Sequence, residues 1–347
     1  MTKEATPMVR TGLIGMGFMG QQHFALHQAM ANIDLLAVAD KEPSRVAAEA
    51  ASVGGNLGEA QSLDLSGVAR YASLDELLAH QGIECVDICT PTHLHANMTV
   101  QALEAGKHVI CEKPMALTAE DCQRMIDAAR ANDRQLFVAQ CIRFWPAYEY
   151  VAEMVNSGSL GQLTSAKFWR LSPGPTWAMD GWLQDTALSG GALTDLHIHD
   201  VDFILSTFGL PVAVSSQAAN RVSCGEPVDH VFTQYFYPGG FICTAEGGWG
   251  MPPSVPFEMA FQVLGEKGLV EFSTSKSPSL AFYPAEGEVT YPEVSEETGY
   301  QREFAYFMEC LETGRAPQRV APESARDSVA VVQAERRSAT SGEKVSL

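Results

Sequence analysis

No apolar run in the sequence approaches the ~20 residues that a membrane helix needs. The first such run, Gly12-Leu13-Ile14-Gly15, follows a polar opening, MTKEATPMVR, so no secretory leader is expected. Positive charge is also scarce. Lys and Arg total 23 against 42 Asp and Glu, a formal net charge of −19. Such a surface repels phosphate backbones and anionic headgroups, which excludes nucleic acid and membrane as expected partners. The eight cysteines (85, 89, 111, 122, 141, 224, 243 and 310) lack the paired spacing of a zinc site. Cys85 and Cys89 lie inside the apolar strand ECVDIC. Reduced core thiols in a cytoplasmic protein, with no metal, are the expectation. Repeats, low-complexity segments and long charged blocks are absent as well, so neither disorder nor coiled coil fits.

What is present suits a protein of two domains. At about 150 residues per domain, 347 residues of which 46% are hydrophobic leave ample material for two cores. Up to residue 140, apolar strands (8–14, 33–40, 84–89, 108–111, 135–139) alternate with helical stretches such as 18–31, 43–53, 94–105 and 118–132. That alternation predicts right-handed crossovers and a doubly wound parallel sheet. Beyond it, strand-like runs joined by Gly-containing turns predict an α+β domain with an open, largely antiparallel sheet over 141–347. Helices are expected at 146–157, 192–207, 300–312 and 323–339, with a C-terminal helix returning to the first domain.

Four segments carry chemistry. Gly15-Met16-Gly17-Phe18-Met19-Gly20 follows a strand and opens a helix, and Asp40 ends the next strand 20 residues on. Gly15 permits a tight turn, Gly17 lets backbone amides approach a pyrophosphate, and Gly20 lets the helix pack on the sheet. Asp40 would accept the adenosine ribose hydroxyls and repel a 2′-phosphate. NAD is therefore expected, with Lys41 and Arg45 leaving NADP open. Thr90-Pro91-Thr92-His93-Leu94-His95 and Glu112-Lys113-Pro114 stand at carboxyl ends of strands, where open α/β sheets bind ligands; Thr90, Pro91, His95, Glu112 and Lys113 are candidate cofactor contacts. In the fourth segment, Asp195, His199 and Asp202 fall on one face of a continuous helix. A carboxylate one turn from a histidine orients the ring and raises its basicity.

Together, GMGFMG, DICTPTHLH, CEKPMA, RFWP, NSGSLGQLTSAKF and GGALTDLHIHDVD resemble, in order, the Gfo/Idh/MocA family of NAD(P)-dependent oxidoreductases. The resemblance implies a Rossmann domain followed by an α/β domain whose sheet walls the substrate site and joins subunits as a homodimer or homotetramer. It implies a sugar, cyclitol or related polyol as substrate. It makes Lys113, Asp195 and His199 the catalytic residues. His197 departs from the family, where many relatives carry a small residue, and is expected to shape the substrate pocket. Arg143, Trp169, Arg170, Trp177 and Trp182 are candidate walls, since aromatic faces bind sugar C–H groups and Arg binds hydroxyls or acids. Two other activities remain open on this reading: glycoside hydrolysis by transient oxidation on held NAD, and a non-catalytic sensor of sugar or dinucleotide.

Overall fold

The computed structural model describes residues 8–47, 63–176, 178, 181–222 and 228–347. They form two compact units. The first takes the described residues of 1–139, 177–181 and 300–326, and the second the remainder.

In the first unit, β1 (Val9–Ile14), β2 (Ile33–Ala39), β3 (Ala69–Tyr71), β4 (Cys85–Ile88), β5 (His108–Glu112) and β6 (Leu136–Ala139) make one sheet ordered β3-β2-β1-β4-β5-β6. Every neighbouring pair is parallel. The order reverses between β1 and β4, so the chain opens a crevice beyond the carboxyl ends of those two strands. β4 and β6 are buried along their whole length, as strands covered on both faces must be. Helices α1 (Phe18–Ala29), α2 (Leu74–Ala79), α3 (Thr92–Glu104) and α4 (Ala119–Ala131) provide the crossovers. Local chemistry sets where two of them begin. Ser73 Oγ accepts from the Glu76 N–H at 3.3 Å while Glu76 reaches back to the Ala72 N–H, and Thr118 Oγ1 accepts from the Asp121 N–H at 3.1 Å. α1 seats Phe24 against Leu13, Met16 and Val38.

The second unit holds α5 (Pro146–Asn156), α6 (Thr186–Ser189), α7 (Gly191–Asp195), α8 (Ile198–Phe208) and an eight-stranded sheet. Its strands are β7 (Leu163–Pro173), β8 (Ala213–Ala219), β9 (His230–Phe236), β10 (Ile242–Met251), β11 (Glu258–Gly265), β12 (Gly268–Ser273), β13 (Leu280–Pro284) and β14 (Val345–Ser346). The order is β13-β12-β11-β7-β10-β9-β8-β14. Pairing is antiparallel except for the central β7 and β10, which run parallel. One face meets the helices through an aromatic cluster in which Tyr148 stands edge-on to Phe203 and Phe261, both at 4.9 Å between ring centres. The two last helices are α9 (Gly299–Thr313) and α10 (Pro322–Ser341). Phe304 and Phe307 of α9 pack in the first unit, the former on His23 and the latter on Phe137.

The expected helix over 192–207 is two helices, parted at Leu196 and His197. The His197 N–H reaches back five residues to the Ala192 carbonyl, 2.9 Å away, so the turn is wider than an α-turn.

Candidate functional site

The glycine turn after β1 is built by close approach. Gly15 has φ +93°, and a Cβ there would lie 2.5 Å from the Cys89 carbonyl oxygen. A Cβ on Gly20 would lie 1.7 Å from the Gly15 oxygen. Gly17 differs, since a Cβ there would meet only the Arg45 guanidinium, at 3.1 Å. Gly17 thus presents open backbone at the start of α1, whose first turn carries no acid and no side-chain cap. Phe18, Met19 and Gly20 occupy that first turn. An uncapped helix N-terminus with a bare glycine backbone fits a pyrophosphate. Asp40 follows β2 and is nearly buried. Its Oδ2 accepts the Met16 N–H at 2.7 Å and its Oδ1 the Glu42 N–H at 2.8 Å. Each oxygen keeps a second lone pair, the acceptor set that a pair of donating ribose hydroxyls requires. Arg45 Nη1 stands 4.0 Å from Asp40 Oδ2.

Thr90 and Pro91 lead from β4 into α3. His95, in the first turn of α3, is buried and does not face outward. Its ring joins two loops: Nε2 lies 2.8 Å from the Thr90 carbonyl oxygen and Nδ1 2.8 Å from that of Pro114. His95 therefore ties the turn after β4 to the Glu112-Lys113-Pro114 turn after β5, where the Lys113–Pro114 peptide is cis. The role the geometry gives it is to brace loops. His93 is exposed. Glu112 Oε2 accepts the Lys113 N–H at 2.9 Å, and its Oε1 lies 3.0 Å from His23 Nε2.

That contact opens a buried group the sequence reading missed. His23 Nδ1 lies 2.9 Å from Asp87 Oδ2, His27 Nε2 is 2.9 Å from the same oxygen, and His27 Nδ1 meets Thr11 Oγ1 at 2.9 Å. Cys89 Sγ is 3.1 Å from His23 Nδ1. Three metal-ligand types, His23, Asp87 and Cys89, lie within 4.8 Å of one another, each already engaged in a hydrogen bond. Burial opposes charge on His23, yet the adjacent Asp87 outweighs it and raises the imidazole well above its usual range. Asp87 is also desolvated, and His23 pulls its carboxyl well below the usual range. Burial raises the Cys89 thiol. The available signal was a pair of histidines four residues apart on the sheet-facing side of α1.

In the second unit, Asp195 closes α7 and the nearly buried His199 lies in the first turn of α8. Asp202, expected on the same face, instead takes Arg143 in a bidentate pair, both N···O distances 2.6 Å, and accepts Ser328 Oγ at 2.9 Å. Arg170 clasps Asp200 with two bonds of 3.0 Å. Both guanidinium groups are buried, so they fasten α8 to the chain around it rather than reading substrate. His197 is likewise buried, its ring filling the space that a Gly247 side chain would take, with Tyr235 Oη 3.3 Å from Nε2 and Glu335 at 3.4 Å. It packs in the core and shapes no pocket wall. Trp169 alternates with Phe168 and Arg170, so it lies on the sheet face turned away from α8, with Lys167 Nζ 4.9 Å above its ring. Trp182 is half-buried, and Trp177 lies outside the described residues.

Residues 9–140 match the model of the GFO_IDH_MocA oxidoreductase family, NAD-binding Rossmann fold, and residues 148–271 match the GFO/IDH/MocA C-terminal domain. Among curated relatives, an uncharacterized oxidoreductase of Synechocystis sp. is 35% identical over 225 residues, which is 63% of this chain and 55% of its own. Levoglucosan dehydrogenase of Pseudarthrobacter phenanthrenivorans is 32% identical over 306 residues, 78% of this chain and 75% of its own. The chain spans about half the length of the first curated relatives it matches. The WlbA dehydrogenase of Bordetella pertussis, solved with NADH and UDP-GlcNAcA, superposes with a TM-score of 0.84 over 99% of both chains at 22% identity, a likeness of fold. No helix among the described residues is long and apolar enough to cross a membrane.

Proposed function

The chain belongs to the Gfo/Idh/MocA oxidoreductase family, and from that premise we propose that it moves a hydride between a nicotinamide dinucleotide and a hydroxyl-bearing carbon of a sugar, cyclitol or related polyol. The observation that carries the reading is the glycine cradle of the first unit, closed by Asp40 and followed at the next strand ends by the His95-braced Lys113 turn. Bound NAD supplies the hydride acceptor. Gly15, Gly17 and Gly20 with the start of α1 would hold its pyrophosphate, and Asp40 its adenosine ribose. The second lone pairs of Asp40 favour NAD over its 2′-phosphorylated form.

The chain's own residues then manage one proton. His199 removes it from the substrate hydroxyl, with Asp195 orienting the ring. Lys113 holds and polarises the same oxygen, so that negative charge developing there meets an ammonium. These three roles rest on the family motifs that the residues occupy. The related levoglucosan dehydrogenase names an anhydrosugar, which supports a carbohydrate substrate.

A panel of sugars and cyclitols with NAD and NADP, followed by absorbance of the reduced cofactor, tests the reading. Turnover with NAD is expected on at least one polyol. Lys113→Met and His199→Ala should each lower it by about 100-fold or more while NAD still binds. Normal turnover in both variants would refute the assignment. We further place the protein in the cytoplasm, because the described cysteines are all free thiols, and as a homodimer or homotetramer through the open face of its second sheet.

A further inference from the structure

The ring of His23 has an acid on each of its nitrogens, and a third buried acid, Glu303, is electrostatically coupled to the same group. Asp87, on β4, faces Nδ1 at 2.9 and 3.1 Å, and Glu112, at the end of β5, faces Nε2 at 3.0 Å. Glu303, on α9, is fully buried and neither of its carboxyl oxygens has a hydrogen-bond partner. His27, one turn along α1, and the Cys89 thiol complete the surroundings. With Asp87 and Glu112 both ionised, both ring nitrogens must donate, and only the imidazolium does so. The opposite oxygen of Glu112 accepts the Lys113 N–H. The chain of contacts Asp87–His23–Glu112 therefore ends on the backbone of the lysine itself.

We propose that His23 is a positioning residue for Lys113, a permanent buried imidazolium that clamps Glu112 and through it fixes the lysine turn. The inference rests on the reading of Lys113 given above. Its charge balance demands that the acids not all be ionised. Two carboxylates around one imidazolium already leave a negative excess, and Glu303, without a single donor, is the neutral one. Burial first, and then the Glu112 charge, raise its carboxyl well above the usual range, in agreement. A metal ion is not needed to hold this group, since each His23 nitrogen is already matched.

Side-chain spectra test the clamp without requiring turnover. In histidine-labelled protein, the imidazole 15N signals lost in His23→Gln should report a doubly protonated ring from about pH 6 to about pH 9. Titration of that ring near its free pKa of about 6.5 would overturn the proposal. In 13C-lysine-labelled protein, the Cε signal lost in Lys113→Met should shift its titration by about 0.5 pH unit or more in His23→Gln. In Glu303→Gln, which mimics the neutral acid, that signal should not move and melting temperature should not fall. A Lys113 signal indifferent to His23→Gln, or a collapsed Glu303→Gln, refutes the clamp. Should His23→Gln not fold, His23→Gln/Glu112→Gln removes one charge of each sign and takes its place. Where turnover is measured, kcat should drop about tenfold with KM within about threefold, and equal loss in both would make His23 merely structural. If no polyol is turned over yet Lys113 still responds, the clamp stands and the assigned reaction falls.

Discussion

Gly20 and Arg170 show how single residues divide between binding and holding. A methyl group at Gly20 would sit 1.7 Å from the Gly15 oxygen, far inside any contact distance, so Gly20→Ala must push α1 away from the turn. Calorimetric titration should show NAD affinity reduced by at least about tenfold, about 1.4 kcal/mol. An unchanged affinity would mean the turn does not cradle the dinucleotide. Arg170 makes the opposite case. Its guanidinium is buried against Asp200, so Arg170→Met leaves a lone buried carboxylate and should cost about 3–5 kcal/mol in urea unfolding. A variant that folds with normal stability but a raised KM would restore Arg170 to the substrate wall. Sequence alone offered no way to choose, because the deciding partner lies 30 residues away and a guanidinium looks the same whether it faces sugar or aspartate.

Between α7 and α8 the chain departs from a continuous helix, and no Gly or Pro at Leu196 or His197 announces it. The cause is tertiary. His197 drops into the space left by Gly247 on β10, where a Cβ would be 2.6 Å from Nδ1. Gly247→Ala should therefore destabilise by about 1–3 kcal/mol, seen as a lower thermal midpoint, and should also disturb the start of α8, which carries His199. A normal midpoint with normal turnover would show that the ring has room to move. Elements fixed by local pattern were legible beforehand: the glycine turn and five of the six parallel strands of the first sheet, β3 being the exception. Those fixed by distant partners were not. β8, β13 and β14 carry weak alternation and owe their places to pairing with stronger neighbours. The His23 group needed α1, β4, β5 and α9 assembled before its acids could meet.

Across the whole molecule, acidity acts on stability through a few buried groups. Asp87 is depressed in the fold, so its contribution is full above about pH 4 and is lost as pH falls toward its folded value. His23 is raised, so its contribution is full below about pH 6.5 and lost as pH climbs through its folded value. Glu303 is raised too, and an acid held neutral in the fold loses stability as pH rises above about 4.3, where the unfolded chain releases the proton. Melting temperature should fall from neutral toward about pH 9, and Glu303→Gln should flatten that slope. Identical slopes in the two proteins would mean Glu303 is ionised in the fold.

The net charge of −19 also bears on assembly, because two copies repel and only an apolar surface can bring them together. The outer face of the second sheet offers one. Register places Phe236, Ile242, Leu264, Leu269 and Tyr283 in one row across five strands, interrupted at β7 by Ser165. Ile242 is 53% exposed, an unusual position for isoleucine at the centre of a strand row. The next row on this face is polar, with Gln234, Thr244, Lys167, Gln262 and Glu271, and the one beyond it sets Glu246 between Trp169 and Phe232, so the face is mixed and its most nearly continuous apolar part is the row of Ile242. Burying that row against a second copy removes it from water, and added salt screens the repulsion that opposes contact. Light scattering should therefore give a mass that is a multiple of the 37.5 kDa chain, and Ile242→Lys should reduce it to one chain without lowering the thermal midpoint of the isolated fold. Raising ionic strength should tighten the wild-type assembly. If the wild-type chain runs as a monomer at micromolar concentration, or if Ile242→Lys assembles as before, subunits do not join through this face.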